Sequence, residues 1–144
     1  MKIALGADHR GYRAKEFVKE LLTKRGIEVV DFGTDSKESC DYPDHGGAAA
    51  EAVSNGSVNF AINICGSGNG MCIVSNKYRG VRAGLAMNPG MAEMTRRHNN
   101  ANVLCISADQ TPQDEIEPIV NAFLDADFDG GRHERRVNKI PETC

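Results

Sequence analysis

Residues 2–7 form a short apolar run that stops at Asp8-His9. Beyond it the period changes, with Ala14, Phe17, Val18, Leu21 and Leu22 falling at i, i+3, i+4 spacing. A strand followed by an amphipathic helix is predicted. Gly26 stands where a helix-terminating glycine belongs, and residues 27–32 read as a second buried strand ending at Gly33. The alternation then recurs. Asp44 is placed to cap a helix through Ala48-Ala49-Ala50 to Val53, Asn55-Gly56 stops it, and residues 58–64 make a third strand. After a glycine-rich stretch come a helix over about 71–78 and a fourth strand over 81–87. Asn88-Pro89 opens another helix, with proline at its first position and with Met91, Met94 and His98 along one side; residues 103–107 are the fifth strand. Ile116, Ile119, Val120, Phe123 and Leu124 repeat the helical spacing, but Pro118 lacks the amide that would bond back to Asp114. That helix is therefore expected to start near Asp114 or to kink. Past Gly130-Gly131, Arg132 and Arg136 share one face if the chain is helical there.

Five apolar strands alternating with helices imply the α/β class: a parallel sheet covered on both faces, in a doubly wound αβα sandwich. At 144 residues, 1–144 is expected to be a single domain with its own core. Ligands of such sheets bind beyond the carboxyl ends of the strands, near the switch in strand order. Asp8, His9, Cys65, Ser67 and the segment around His98 are all expected to gather there, just after strands or at the near ends of neighbouring helices.

Composition narrows the partners. A formal charge of -3, with no basic stripe interleaved with aromatics, points away from nucleic acid. No apolar run approaches membrane-spanning length, and the opening residues have no signal-peptide core. A small anionic metabolite needs only local positive charge. The five cysteines, at 40, 65, 72, 105 and 144, are odd in number and lack C-x-x-C spacing, so neither a disulfide framework nor a zinc ribbon is expected and a reducing cytoplasmic setting is the natural one.

The most informative chemistry lies in Ile62-Asn63-Ile64-Cys65-Gly66-Ser67-Gly68-Asn69-Gly70-Met71, where a thiol leaves a buried strand directly into glycines that open a helix. Free amides there would stabilise a developing oxyanion and favour a thiolate at Cys65. The alternative for Cys65 is a structural thiol beside a tight turn, a role that suits Cys72 and Cys105 better. A C-x5-R phosphatase loop fails because Met71 stands where the arginine is needed, and G-x-G-x-G after the third strand is neither a dinucleotide fingerprint nor a P-loop. Asp8-His9-Arg10-Gly11 occupies the turn after the first strand, where His9 and Arg10 could meet a phosphate or form a plain surface turn. Arg96, Arg97 and His98 end the fourth helix, where cations suit the dipole whatever the function. Arg132, His133, Arg135 and Arg136 are the densest basic cluster; two arginines a turn apart make a competent phosphate clamp, or solvated charge.

Six segments together carry a more specific likeness: Gly6-Ala7-Asp8-His9-Arg10-Gly11-Tyr12, Asp41-Tyr42-Pro43-Asp44, Cys65-Gly66-Ser67-Gly68-Asn69-Gly70, Ser75-Asn76-Lys77, Arg97-His98-Asn99-Asn100-Ala101-Asn102-Val103 and Gly130-Gly131-Arg132-His133. In order and spacing, over essentially the whole chain, they resemble the ribose-5-phosphate isomerase type B family, which also contains allose-6-phosphate and galactose-6-phosphate isomerases. The resemblance implies a Rossmann-like homodimer, or a tetramer of paired dimers, with active sites at the subunit interface and residues from about 128 to 144 packing on the partner. It implies interconversion of ribose 5-phosphate and ribulose 5-phosphate through a cis-enediolate, with no metal or organic cofactor. Cys65 would be the base, with the hydroxyl of Ser67 beside it. The amides of Gly66, Gly68, Asn69 and Gly70, with Asn99, would hold the enediolate. His98, assisted by Asp8, would open the furanose ring against which Tyr42 lies. His9, Arg132 and Arg136 would bind the phosphate, some of them from the partner subunit. One departure stands out: Asp109, in Ser107-Ala108-Asp109-Gln110, takes the place of an arginine that contacts phosphate in many members. Either Arg10 or another cation compensates, or Asp109 points away, or the substrate is a hexose 6-phosphate. A non-catalytic module using the glycine turn to bind an anion is the reading from another class, and a redox role for Cys65 is a third.

Overall fold

The computed structural model describes residues 1–142, so Cys144 lies outside the described residues. The elements run β1 (Lys2–Ala7), α1 (Tyr12–Lys24), β2 (Glu28–Asp31), α2 (Tyr42–Ser54), β3 (Phe60–Cys65), α3 (Asn69–Ser75), β4 (Ala83–Leu85), α4 (Pro89–Asn99), β5 (Val103–Ser107), α5 (Gln113–Asp125) and α6 (Arg132–Val137). The strands form one sheet in the order β2-β1-β3-β5-β4, and every pairing is parallel. The expected α/β sandwich with a five-stranded parallel sheet is what the chain adopts. No helix of the described residues is long and apolar enough to cross a membrane.

Side chains alternate between the two faces of the sheet, as the period of two requires. Ile3, Leu5, Ile62, Ile64, Leu104 and Ile106 meet Val18 and Leu22 of α1 and Ile116, Ile119 and Phe123 of α5. The other face is built from smaller residues: Ala4, Ala61, Cys65 and Cys105 pack against Ala49 and Ala52 of α2 and Met71 of α3. Cys65 thus sits on the small-residue face. Phe123 completes the larger core, meeting Phe60 edge to face at 5.7 Å between ring centroids.

Several boundaries differ from the sequence expectation for identifiable reasons. Asp44 does not cap α2; the helix begins at Tyr42 with Asp41 at the cap position, because Pro43, needing no amide partner, fits the first turn. The third helix starts two residues early, at Asn69, since Gly68 takes φ +78 and turns the chain at once into the helix. The fourth strand is cut to Ala83–Leu85 at the sheet edge, where it pairs with β5. The α5 helix starts at Gln113, close to the expected start, and runs on through Pro118, its sixth residue, which cannot donate to the Asp114 carbonyl.

One buried ion pair ties the first strand pair to the region beyond it. Lys15, only 1% exposed, places Nζ 2.8 Å from Asp31 Oδ2, and Asp31 Oδ1 accepts the Gly33 amide at 2.9 Å. Thr34 N–H then donates to the carbonyl of Ala7, the residue before Asp8. Burial alone would push the Asp31 carboxyl up and the Lys15 ammonium down; their hydrogen bond, with that of Glu16 to Lys15 and those of Lys19 and the Gly33 amide to Asp31, outweighs it, so Asp31 is lowered and Lys15 raised. Asp31→Asn should destabilise the fold by about 2 kcal/mol in chemical denaturation, since it removes one of the two carboxylates, Asp31 and Glu16, that hold the buried Lys15 ammonium. Because Asp31 is lowered on folding, its contribution is present above the ordinary carboxylate range and is lost as pH falls through its folded value. The gap between mutant and parent should therefore narrow in acid.

Candidate active site

The strand order reverses between β1 and β3: from β1 the chain moves outward to β2, then returns to lay β3 on the other side. The exits of β1 and β3 flank this crevice. Asp8 is buried just past β1, and its Oδ1 accepts the amides of Arg10 and Gly11, both at 3.0 Å, which holds the turn. His9 follows, its Nδ1 accepting the Cys40 amide at 3.2 Å.

Cys65 ends β3 with 5% of its surface exposed. The Gly68 amide donates to its sulfur at 3.2 Å, and the exposed Ser67 hydroxyl oxygen accepts the Asn69 amide at the same distance. The loop is held from β5. The Ala108 amide donates to the Cys65 carbonyl at 2.9 Å, and the Gly66 carbonyl accepts from Ser107 Oγ at 2.7 Å and from the Asp109 amide at 3.0 Å. Tyr42, at the start of α2, lays its ring against Gly70, where a Cβ would fall 2.8 Å from ring carbons. Gly66 is roofed by an ion pair between Arg10 and Asp109. Asp8, His9, Tyr42, Cys65, Ser67, Gly66, Gly68, Asn69 and Gly70 therefore share one rim of the sheet.

His98, Asn99, Arg132 and Arg136 do not join them. The expectation that the His98 segment lies near the strand exits is corrected by the direction of α4, which starts beyond β4 and runs back to the amino ends of the strands. Arg96 Cζ sits 4.8 Å from the ring centroid of Phe60, the first residue of β3, and the Ala61 amide donates to the Asn102 carbonyl at 3.0 Å. Cys65 lies four residues further along that strand, roughly 13 Å away at the rise of an extended chain. Within one chain, the thiol and His98 occupy opposite rims.

The second rim has its own organisation. Asn100, at φ +48, ends α4 and sends the chain into β5. The His98 ring stacks on that of His133 of α6, 4.2 Å between centroids and 6° from parallel. Asp129 Oδ2 lies 3.9 Å from His98 Nε2, while both carboxylate oxygens take the fork of Arg97 at 3.1 and 3.3 Å. That fork holds the Asp129 carboxyl below the usual range. Donor atoms of His98, Asp129 and His133 lie within 4.8 Å of one another, a grouping the sequence spacing did not reveal. Asp129 is committed to the guanidinium, however, and the rings are parallel, so their in-plane nitrogens do not converge on a common ion. Burial pushes the His133 imidazole below its ordinary value, and nearby His98, Arg132 and Arg136 push the same way against Asp129. A pocket of about 390 Å³ opens here between His98, Asn99, His133 and Arg136. Beside it a cleft of about 930 Å³ runs along β4, lined by Arg82, Thr95, Asn99 and residues 137–142. The second rim thus gathers His98, Asn99, His133 and Arg136 around an open pocket, and the first rim holds Cys65 and its glycine loop without them.

Of the remaining cysteines in the described residues, Cys105 is fully buried, and burial pushes its thiol well up, which suits the structural role expected of it.

Known proteins resemble this arrangement over the whole length. The ribose-5-phosphate isomerase B of Clostridium thermocellum superposes with a TM-score of 0.96 at 48% identity, covering 97% of this chain and 95% of that one. The structure of ribose-5-phosphate isomerase B from Mycoplasma genitalium with bound ribulose-5-phosphate has a TM-score of 0.93 at 40% identity, covering 96% and 93%. Ribose-5-phosphate isomerase B of Escherichia coli K12 is 42% identical over 139 residues, 96% of this chain and 93% of that protein. Residues 3–140 match the Ribose/Galactose Isomerase family, and the chain, a member by sequence and by fold, belongs to it.

Proposed function

We propose that the protein interconverts ribose 5-phosphate and ribulose 5-phosphate by proton transfer between C1 and C2. The observation that carries this reading is the buried Cys65 thiol, with the Gly68 amide on its sulfur, opening onto the glycine loop at the switch point. Moving a proton between adjacent carbons passes through a planar cis-enediolate, which needs a base on one face and preorganised donors for the developing charge. Cys65 is the base, Ser67 stands beside it, and the amides of Gly66, Gly68, Asn69 and Gly70 take the oxyanion. Tyr42 bounds the sugar, and His9 approaches the phosphate.

The missing functions come from a second copy of the chain. His98 opens the ring with help from Asp8, Asn99 adds a donor to the enediolate, and Arg132 and Arg136 clamp the phosphate from the opposite rim of the partner. A two-fold pairing that sets the Cys65 rim of one subunit against the His98 rim of the other makes two equal sites. Exposed apolar side chains fit such a contact: Tyr42 opens α2, Ile73 lies in α3, Met87 follows β4, Met91 stands in the first turn of α4, and Ile140 lines the pocket of the second rim.

Initial rates on ribose 5-phosphate, allose 6-phosphate and galactose 6-phosphate test the substrate. Ribose 5-phosphate should be turned over fastest; a preference for either hexose would replace the pentose reading, and turnover of none would favour an anion-binding module. Cys65→Ala should lower kcat by about 10²–10⁴-fold while leaving substrate binding measurable by calorimetry, whereas intact turnover would remove the thiol from the chemistry. His98→Asn should slow the ring-closed sugar far more than an open-chain substrate. Arg136→Ala should raise KM for the phosphorylated sugar and barely change that for its unphosphorylated counterpart. Co-refolding equal amounts of the Cys65→Ala and His98→Asn chains should restore about a quarter of the parent rate, since half the dimers are mixed and each holds one intact site. No recovery would mean that one chain carries the whole site.

A further inference from the structure

The geometry points to Arg10 as a phosphate-binding residue of the Cys65 rim, held in place by Asp109 acting as its positioning residue. This assignment rests on the sugar-phosphate reading of the site and extends it to two side chains that the reading does not use.

Three independent features converge on the pair. Arg10 Nη2 contacts Asp109 Oδ2 across 99 residues of sequence, joining the turn after β1 to the turn after β5. Both side chains lie over Gly66: a Cβ there would fall 2.8 Å from Arg10 Cζ and Nε and 3.0 Å from Asp109 Oδ2. Both backbones are anchored next to the reacting loop, Arg10 through its amide to Asp8 Oδ1 and Asp109 through its amide to the Gly66 carbonyl. The guanidinium is therefore delivered to the roof of the loop that follows the thiol.

A carboxylate at this mouth would by itself repel an anion. Its effect here is different because it engages one end of a guanidinium that has five N–H donors, and the Arg10 side chain is still 58% exposed. The rest of the fork is open to a second, doubly charged acceptor. An arginine bridged between a fixed carboxylate and a phosphate loses less freedom on binding than one swinging from a surface turn. A lysine could not do the same, since a single ammonium offers no planar fork.

The test compares Arg10→Ala, Arg10→Lys, Asp109→Asn and the Arg10→Ala/Asp109→Asn double variant with the parent enzyme, reading kcat and KM for ribose 5-phosphate and the competitive Ki of inorganic phosphate. Arg10→Ala should raise both KM and Ki about tenfold, the loss expected for a hydrogen bond to a charged group, with a smaller change in kcat. Arg10→Lys should recover only part of this. Asp109→Asn should raise the same two constants less, and the double variant should be no worse than Arg10→Ala, because the carboxylate acts through the arginine. If Arg10→Ala leaves KM and Ki unchanged in a parent enzyme that isomerises ribose 5-phosphate, the assignment is overturned and the isomerase reading stands. If Asp109→Asn lowers KM, Asp109 guards the mouth against phosphate and its positioning role is overturned. Failure of the parent to turn over any sugar phosphate would instead remove the reading on which the assignment rests.

Discussion

All five strands run in one direction, and this parallelism governs everything else in the molecule. Each strand exit lands on one rim and each returning helix ends on the other, so the candidate site residues are sorted by whether they follow a strand or finish a helix. Asp8 and Cys65 follow strands; His98 and Asn99 finish a helix. One copy of the sheet cannot bring the two sets together, because the span of β3 separates them. Two copies, each offering the opposite rim, can. It is strand direction, before any interface contact is considered, that makes the proposed site one shared between two chains.

The first rim is organised around the central strand. β3 has a partner on each side, so its end is fixed by ladders to both β1 and β5. The glycine loop inherits that rigidity through the bonds from Ser107, Ala108 and Asp109 to Cys65 and Gly66. In the proposed reaction this rigidity matters, since donors for a short-lived enediolate act best when they need not reorganise. The small residues at Ala4, Ala61, Ala49 and Ala52 complete the arrangement by letting α2 lie close to the sheet, so that Tyr42 at its start reaches Gly70.

The second rim is built on charge. Arg97 ties Asp129 to α4, His133 stacks on His98, and burial keeps His133 below its ordinary value, so beside His98 stands an imidazole that tends to stay neutral. Arg96 faces the other way. Buried over Phe60 and Phe123 and donating to the Ala101 carbonyl, it anchors the end of α4 rather than meeting a ligand. Adjacent arginines of one helix thus divide between the core and the ion pair with Asp129. Their positions in the sequence, side by side in Arg96-Arg97, do not distinguish them.

Hydrophobic period and turn residues determined the elements, the parallel sandwich and the place of the Cys65 loop at a strand exit, because each depends on residues close together in the chain. Gly26, Asn55-Gly56 and Asn88-Pro89 mark their boundaries by local backbone preference alone, and a thiol running into Gly66-Ser67-Gly68 announces its loop in the same way. Where the local signal was ambiguous, as between Asp41 and Asp44 before α2, the helix start was misplaced by a few residues. Tertiary structure alone decided the strand order, the placing of Cys65 and His98 on opposite rims, the stack of His98 on His133, and the pairing of Arg10 with Asp109 over Gly66. Those relations join residues tens of positions apart, and they are set by which strand lies beside which and which way each helix returns, a choice made by packing the whole sheet rather than by any one segment.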